Sequence, residues 1–332
     1  MREKILKIKI GEEYKAKIEK IGEFDKSMFK DVYEKSFDCI ESILAENSNN
    51  KNDKENYEKY NNIVSFVGER GTGKTSAMLS VSGALKNGKD VKVSDENVKD
   101  LKAVYKKLKK ENKFFDIGII DPSHFNENSN ILEIILAKMF KNFKNKVEEK
   151  GNKNADHDDK RKLIKAFEEV FENLKTIQNP EDVYKGEALD ALLKMSASTD
   201  LKANMTDLVE KYLNFFNKLD DDTNKQNAVL LLEIDDIDLS TKHAYEMVEQ
   251  VRKYLIIPNV VILMAVKMQQ LSHIVERNMR EEFEIMLKKP HMNDEEPKNM
   301  AEKYLMKLIP LERRLFLPTF DNINLDMIME VE

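Results

Sequence analysis

Eight consecutive residues, from Gly68 to Thr75, have the composition and spacing of a loop that binds phosphate. They read Gly-Glu-Arg-Gly-Thr-Gly-Lys-Thr and match the P-loop pattern G-x-x-x-x-G-K-[ST] at every defined position. The glycines let the backbone turn with positive φ, so that several N–H groups can converge on an anion. Lys74 can then reach the β- and γ-phosphates of a nucleoside triphosphate, and the Thr75 hydroxyl can ligate Mg²⁺.

The whole loop and the residue after it are expected to contact the nucleotide. This predicted set comprises Gly68, Glu69, Arg70, Gly71, Thr72, Gly73, Lys74, Thr75 and Ser76. An apolar run precedes the loop and a helix-compatible run, Ser76 to Leu85, follows it, as a P-loop requires. The alternative is a glycine-rich turn with an incidental lysine, in which Glu69 and Arg70 are simply exposed.

A second group of candidate residues follows the apolar run Val229 to Ile234, which ends in Asp235 and Asp236. A P-loop ATPase needs a carboxylate at the tip of a neighbouring strand to hold Mg²⁺ through water, a role that suits Asp235. It often needs a second to orient or deprotonate the attacking water, which suits Asp236. The predicted metal ligands are therefore Thr75 and Asp235, and the predicted catalytic residues are Lys74, Asp235 and Asp236.

Other interpretations of these acids stay open. The strand can end in an acidic turn with Asp236 as a helix N-cap. Asp238 is a further candidate ligand. Glu233 is expected to point the other way across the sheet, because side chains alternate along a strand.

The elements that must position these residues are read from apolar runs. Five runs predict strands: Ile63–Val67, Phe114–Ile120, Val229–Ile234, Val260–Val266 and Leu315–Leu317. Continuous apolar strands that alternate with helices favour a parallel sheet covered on both faces. The predicted fold class is therefore α/β, a P-loop nucleotide-binding core flanked by helices, with a helical insertion.

The chain divides by composition into five predicted segments. They are an N-terminal strand and helix (1–60), the first part of the core (61–145), a charged helical insertion (146–227), the second part of the core (228–320) and a short tail (321–332). Too little chain follows the fifth strand to build a full helical lid, so the lid is predicted to be absent or truncated.

Composition restricts the partners and the compartment. Of 332 residues, 35% are charged and the net charge is −6, with both signs interspersed, so the global charge gives no support for nucleic-acid binding although a local groove could still bind it. Cys39 is the only cysteine, which excludes an intrachain disulfide and is consistent with a reducing cytosol. The longest apolar stretch, Ile256 to Val266, is shorter than the roughly 20 residues that span a bilayer. The expected location is cytoplasmic, without membrane attachment.

Several segments together resemble a known group of enzymes. They are the P-loop, Asp235-Asp236-Ile237-Asp238, the strand Phe115–Ser123 with its Asp-Pro-Ser end, and the C-terminal segments Tyr304–Pro310 and Arg313–Pro318. With these, the chain resembles the AAA+/STAND superclass of P-loop ATPases, especially KAP-like and bacterial antiphage-defence ATPases. Within these it looks most like the ATPase of RADAR-type systems.

The resemblance implies a sheet order of 5-1-4-3-2 and nucleotide bound at the carboxyl ends of the strands. It also implies magnesium-dependent ATP hydrolysis by a ring of copies that acts as a switch or remodeller in antiphage (antiviral) defence. A protein effector such as an adenosine deaminase is the partner that it suggests. A nucleic-acid-dependent motor or loader ATPase with the same core is the alternative.

The resemblance also suggests auxiliary residues. Lys267, just after the fourth strand, is near a position that usually carries a polar sensor, although the usual Asn, Ser or Thr is replaced. Arg277 or Arg280 would complete the site of a neighbouring copy, or Arg313 or Arg314 would act near the fifth strand. For each arginine the alternative is a surface residue without a catalytic role.

Two further clusters have less specific patterns. Asp121, Ser123 and His124 follow the second strand and either contact nucleotide or substrate or cap the next helix. Asp156-His157-Asp158-Asp159 either binds a metal or is a solvated run of charge.

Overall fold

The centre of the molecule is a five-stranded sheet in which all strands are parallel. In the computed structural model the strands are β1 (Ile63–Val67), β2 (Asn112–Asp116), β3 (Asn227–Ile234), β4 (Val260–Val266) and β5 (Arg314–Phe316). Every residue of β1 and β4 is buried, so both faces of the sheet are covered. The predicted α/β class is confirmed.

The structure describes eleven stretches of the chain and the single residue Phe24. The stretches are 7–8, 27–50, 61–87, 99–124, 130–150, 157–178, 187–219, 226–239, 243–283, 295–318 and 330–331. Most of residues 1–26, where the N-terminal strand is predicted, and most of the tail at 321–332 therefore lie outside the described residues, and so does Asp156.

The strands lie across the sheet in the order β2-β3-β4-β1-β5, which reads 5-1-4-3-2 from the opposite edge. Lys7–Ile8 pairs with Glu330–Val331 in a separate two-stranded sheet. The numbering β1 to β5 covers the strands of the central sheet alone. Because β4 separates β1 from β3, the carboxyl ends of β1 and β3 lie on either side of the end of β4.

Nine α-helices accompany the sheet in the described part of the chain. They are α1 (Lys30–Asn50), α2 (Lys74–Asn87), α3 (Lys99–Glu111), α4 (Ile131–Lys150), α5 (His157–Gln178), α6 (Glu187–Leu219), α7 (Ala244–Gln250), α8 (Met268–Glu282) and α9 (Glu296–Leu308). Helix α7 continues into a π-helical turn, Val251–Leu255. Within the described residues, no helix combines the length and the apolar character needed to cross a bilayer.

Helices α2 and α6 cover opposite faces of the sheet, as two neighbouring residues of β2 show. The Phe115 ring packs edge-on against Phe216 of α6, with ring centroids 6.2 Å apart. The carboxylate of the next residue, Asp116, instead pairs with Lys86 of α2. Successive side chains on a strand point to opposite faces, so these contacts place the two helices on different sides.

The charged stretch predicted as an insertion contains an aromatic interior. Helix α5 has charged residues outside and an apolar stripe inside, with Leu163, Phe167, Val170 and Leu174 buried at helical spacing. Its rings join those of α4 and α6 in one group: Phe140, Phe143, Phe167, Phe215 and Phe216. Helix α6 also packs on β3, so these helices contact the sheet directly.

The prediction of a continuous second strand over Phe114–Ile120 is wrong in one respect. Regular pairing ends with Asp116 opposite Leu231, and then Ile120 alone bridges to Ile234. The chain advances four residues from Asp116 to Ile120, whereas β3 advances three from Leu231 to Ile234. One extra residue on one of two paired strands is the definition of a β-bulge. Gly118 lies within the bulge at a φ of 75°, a conformation that favours glycine.

The aromatic interior predicts a contrast between two phenylalanines of α5. Phe167 is 5% exposed, whereas Phe171, one turn later, is 42% exposed and lies under the Lys175 ammonium. Phe167→Ala should lower the free energy of unfolding by about 3–5 kcal/mol, because it leaves a cavity between helices. Phe171→Ala should lower it by less than about 1 kcal/mol. Urea denaturation followed by circular dichroism measures both, and equal losses would contradict the packing described.

Candidate phosphate and magnesium site

The predicted phosphate-binding loop connects the end of β1 to the first turn of α2. Its backbone is folded around one carbonyl oxygen, that of Glu69. This oxygen accepts hydrogen bonds from the Thr72 amide at 3.3 Å, the Thr72 hydroxyl at 2.8 Å and the Lys74 ammonium at 3.0 Å. Lys74 therefore curls back over the loop at the N-terminus of a helix, where a phosphate group would be favoured.

Gly73 combines a strained backbone conformation with a close neighbour outside the loop. Its φ is 88°, in the left-handed region. A Cβ placed there would lie 2.9 Å from Cζ of Phe29, closer than a carbon–carbon contact allows. The sequence motif required glycine here for its backbone conformation, but the contact with Phe29 is a second reason that only the structure reveals.

A hydrogen bond joins the loop to the acidic end of β3. The Thr75 hydroxyl donates to Oδ2 of Asp235 at 2.8 Å. These are the two residues predicted as magnesium ligands, and they come from opposite ends of a long chain segment. The structure thus brings the two halves of the predicted site together.

The environment of Asp235 is electrostatically strained. Burial raises the pKa of Asp235 above its ordinary value, the Thr75 hydrogen bond opposes that rise, and the nearby Asp236 carboxylate adds to it. Such a carboxylate favours a cation beside it, because a cation offsets both the burial and the repulsion.

Asp236 has an unusual backbone for a residue with a side chain. Its φ is 50°, and its amide donates to the Asp235 carboxylate at 3.1 Å. Non-glycine residues in this region are uncommon and are found preferentially at functional sites. The alternative of Asp236 as a side-chain cap finds no support in the bonds of the described residues, since it is the Asp236 carbonyl that accepts from Leu239.

Asp238 is 3% exposed and supports the neighbouring strand end rather than facing the loop. Its carboxylate accepts from the backbone amide of Lys267 at 3.3 Å, and its carbonyl accepts from Gln270 at 3.0 Å. Burial raises the pKa of Asp238, which the hydrogen bond from Lys267 partly offsets. Asp238 thus fixes the start of α8.

The expectation for Glu233 is wrong. Its side chain lies on the same face as that of Asp235, two positions along the strand, and contacts the P-loop helix α2. There it accepts from the Ser82 hydroxyl and from Lys86, whose ammonium also pairs with Asp116. These contacts bind α2 to β2 and β3 away from the loop, so Glu233 is a structural residue.

Asp121 is brought to the edge of the site by the bulge in β2. Ile120 donates to and accepts from β3 on either side of Ile234, which places Asp121 beside Asp235. The Asp121 carboxylate accepts from the amide and hydroxyl of Ser123, at 2.9 and 2.6 Å, and lies 3.4 Å from Nδ1 of His124. It therefore caps the short 3₁₀ turn at Pro122–His124, which agrees with the capping interpretation of this cluster.

Lys267 lies across the mouth of the loop. Its ammonium forms an ion pair with the Glu69 carboxylate, and its backbone begins α8. Among the remaining members of the predicted nucleotide-binding set, Arg70 is exposed and Ser76 is half-buried in the first turn of α2.

The two arginines near β5 are engaged within the chain. Arg313 is 7% exposed and donates to both carboxylate oxygens of Glu46 at 3.0 and 3.1 Å, as well as to the Asn61 carbonyl. Arg314 donates to the carbonyls of Leu305 and Ile309, at the end of α9. Both therefore stabilise the fold, which removes them as candidates for a catalytic arginine.

The two arginines of α8 remain accessible. Arg277 pairs with Glu281 and Arg280 with Glu276, each one helical turn away on the surface. Their side chains are 54% and 43% exposed. Of the four arginines considered, these are the two that a neighbouring molecule could reach.

The donor set suits Mg²⁺ bound with a nucleotide. The described residues contain no cage of three or more His, Cys, Asp or Glu side chains, and this holds for His157–Asp159 too, where Asp158 and Asp159 pair with lysines. Mg²⁺ at nucleotide sites is held by one or two protein oxygens together with phosphates and water. The Thr75 hydroxyl and the Asp235 carboxylate are oxygen donors of that kind.

A cleft lined by described residues lies elsewhere. It has a volume of about 340 Å³ and shares no residue with the loop or with Asp235–Asp238. Its lining is Asn130, Leu132, Leu174, Ile177, Leu201, Tyr245, Glu246, Glu249, Gln250, Lys253, Tyr254 and Glu282. Its most buried carboxylate, Glu249, already pairs with Arg252 and Lys253. The P-loop is preferred as the site because Lys74, Thr75 and Asp235 converge there.

Three features of the site were not anticipated from the sequence. They are the packing of Phe29 on Gly73, the ion pair between Glu69 and Lys267, and the place of Asp121 beside Asp235. Phe29 gave no signal, because a lone aromatic before a helix is common. Asp121 did give one, since it follows an apolar run as Asp235 does.

Comparison of the chain with models of protein families and with curated proteins yielded no match.

The fit of Phe29 against the loop predicts different costs at two glycines. Gly71 also has positive φ, 82°, but a Cβ there would meet nothing within 4 Å. Gly73→Ala should therefore lower thermal stability more than Gly71→Ala, since it adds a clash to the backbone strain. Adding Phe29→Ala should recover part of the Gly73→Ala loss. Differential scanning fluorimetry measures this, and absence of any recovery would refute the steric role of Phe29.

Proposed function

We propose that this chain binds ATP with Mg²⁺ and hydrolyses it. The observation that carries the proposal is the 2.8 Å hydrogen bond from Thr75 to Asp235, which unites a P-loop with an acidic strand end. A nucleoside triphosphate needs this pairing of a phosphate cradle with a carboxylate that supports magnesium.

Each residue of the proposed site has a role set by its position. The loop amides and the Lys74 ammonium bind the phosphates, and the Thr75 hydroxyl and Asp235 would hold Mg²⁺. The metal, when bound, neutralises charge on the phosphates. Asp236, half-buried beside Asp235, orients the attacking water and accepts its proton.

We propose ATP rather than GTP as the nucleotide because no guanine-recognition motif of the N-K-x-D type follows a strand. The sequence does contain two N-K-x-D strings, beginning at Asn50 and Asn217. Both begin in the last turn of a helix, α1 and α6 respectively, rather than after a strand. Neither therefore has the context of a base-reading segment.

We further propose that hydrolysis drives an oligomeric switch or remodeller, as the AAA+/STAND resemblance implies. The exposed pair Arg277 and Arg280 on α8, which a neighbouring copy can reach, supports this proposal. Ring formation, a role in antiphage defence and a deaminase partner rest on the resemblance alone.

Loss of the P-loop lysine should weaken ATP binding. Lys74→Ala removes the cation that faces the phosphates, and ATP affinity should fall by at least about tenfold. Isothermal titration calorimetry with ATP, and with GTP as competitor, measures this in the presence of Mg²⁺. Lys211→Ala, which breaks an exposed ion pair with Asp207, serves as the control and should bind as wild type does. If the wild type binds no nucleoside triphosphate, the proposed function is wrong.

Loss of the proposed base should separate binding from turnover. Asp236→Asn keeps the size of the side chain but cannot accept a proton, so hydrolysis should slow about 10²–10⁴-fold while ATP still binds. Phosphate release, measured with and without DNA or RNA, reports the rate, and mass photometry reports assembly in the same samples. The matched control is Asp207→Asn. Unchanged turnover in Asp236→Asn would assign the water-orienting role to another group.

A further inference from the structure

The cleft of about 340 Å³ lies outside the phosphate site, where residues of α4, α5, α6 and α7 meet. We call it the α7 cleft, because α7 and the π-helical turn after it contribute half of its lining. Its volume falls within the range of sites that bind small molecules. The α7 cleft is therefore large enough to hold a small organic ligand in addition to a nucleotide bound at the loop.

The inner surface of the α7 cleft is apolar. Leu132 of α4, Leu174 of α5 and Leu201 of α6 contribute to it, and each is at most 2% exposed. Tyr245 and Tyr254 add aromatic rings to the same lining. Apolar and aromatic side chains with a few polar groups among them are typical of sites that bind small organic molecules.

One polar atom in this lining has no hydrogen-bonding partner among the described residues. It is the buried side-chain carbonyl oxygen of Gln250, Oε1. Buried acceptors are nearly always paired, because an unpaired one loses its bonds to water without replacement. Gln250 also directly precedes the π-helical turn Val251–Leu255, and such turns are rare and occur frequently at functional sites. A donor group on a bound molecule would satisfy this oxygen.

The charged groups of the lining favour a cation as that donor. The carboxylates of Glu246, Glu249 and Glu282 line the cleft together with the ammonium of Lys253. Burial raises the pKa of Glu249, but hydrogen bonds from Arg252 and Lys253 outweigh burial and lower the pKa to about 2. Glu249 is therefore ionised at neutral pH and paired within the chain. The other two carboxylates are exposed, that of Glu246 to 68%, so they are accessible to a ligand that enters from solvent.

We propose that the α7 cleft binds a small organic cation, a primary amine or guanidinium joined to a compact apolar body. The apolar body packs against the three buried leucines, and an N–H of the cationic group donates to Oε1 of Gln250. Glu246 and Glu282 attract the positive charge, and the face of the Tyr245 ring favours it too. Binding here uses none of the residues proposed to bind ATP, so the inference goes beyond the proposed function and does not depend on it.

The test uses three probes that share a phenylethyl group and differ in charge. Phenethylamine carries an ammonium, phenethyl alcohol a hydroxyl and hydrocinnamate a carboxylate. In isothermal titration calorimetry the amine should bind wild-type protein with a Kd of about 1 mM or below, which is reasonable for a ligand of this size. The alcohol should bind at least about tenfold more weakly because it lacks the charge, and hydrocinnamate should not bind.

Three substitutions locate the site. Gln250→Met replaces the acceptor with an apolar side chain of similar length, so it should weaken phenethylamine about tenfold. It should not lower the melting temperature, because it removes an unpaired buried polar atom. Glu246→Gln and Glu282→Gln should each weaken the amine several-fold and leave the alcohol unchanged. Glu148→Gln, which changes an exposed carboxylate of α4 outside the cleft, is the charge-matched control and should bind as wild type does.

Other outcomes overturn the proposal. Wild-type protein that binds phenethylamine no more tightly than phenethyl alcohol, or not at all, excludes a cation site. Unchanged amine affinity in Gln250→Met, or equal losses in Glu282→Gln and Glu148→Gln, excludes the α7 cleft as the place of binding. If Gln250→Met does not fold, the two exposed glutamates decide the matter. Lys74→Ala should bind the amine as wild type does, so failure of the ATP proposal is distinguished from failure of this one.

Discussion

The hydrogen bond between Thr75 and Asp235 is the contact on which the candidate site depends. It joins residues 160 positions apart in the chain, and both ends belong to elements that are fixed by the sheet. Thr75 lies in the first turn of α2, which the loop joins to β1, and Asp235 directly follows β3. The two meet because β1 and β3 are parallel and flank β4, so that their carboxyl ends share one edge.

The contact also depends on the rotation of α2 about its own axis. A polar seam, in which Thr75, Ser82 and Lys86 of α2 contact Asp235 and Glu233, fixes that rotation. Thr75, Ser82 and Lys86 lie seven and then four positions apart, which places them on one face of the helix. They meet Asp235 and Glu233, which occupy one face of β3. A buried carboxylate such as Glu233, 2% exposed, is costly unless it is paired and hydrogen-bonded. The seam satisfies it only in this rotation of α2, so the same contacts that stabilise the core aim Thr75 at Asp235.

Several features of the site could be predicted from the sequence because the residues that form each feature are close together in the chain. The loop pattern, the apolar runs and the acidic pair each lie within ten residues. The structure places the apolar runs in one sheet, and the loop and the acidic pair follow two of its strands. What the sequence could not supply were the long-range partners. Arg313 carries the same charge as Arg277, yet it is buried against Glu46, and nothing in its neighbours in the chain distinguishes the two. Likewise the bulge in β2 depends on register against β3, which apolar character does not encode.

The position of Lys267 indicates how a change at the loop would affect the rest of the molecule. Lys267 is both the partner of Glu69 and the residue before α8, and its backbone amide donates to the carboxylate of Asp238. Helix α8 packs on α9, and the turn after α9 leads into β5. Asp235, by contrast, follows β3, which is buried among strands on both sides and covered by α6. Because a core strand is closely packed and a helix start is held by few bonds, displacement of Lys267 meets less resistance than displacement of Asp235. Helix α8 therefore links the Glu69 end of the loop to Arg277 and Arg280 on the surface.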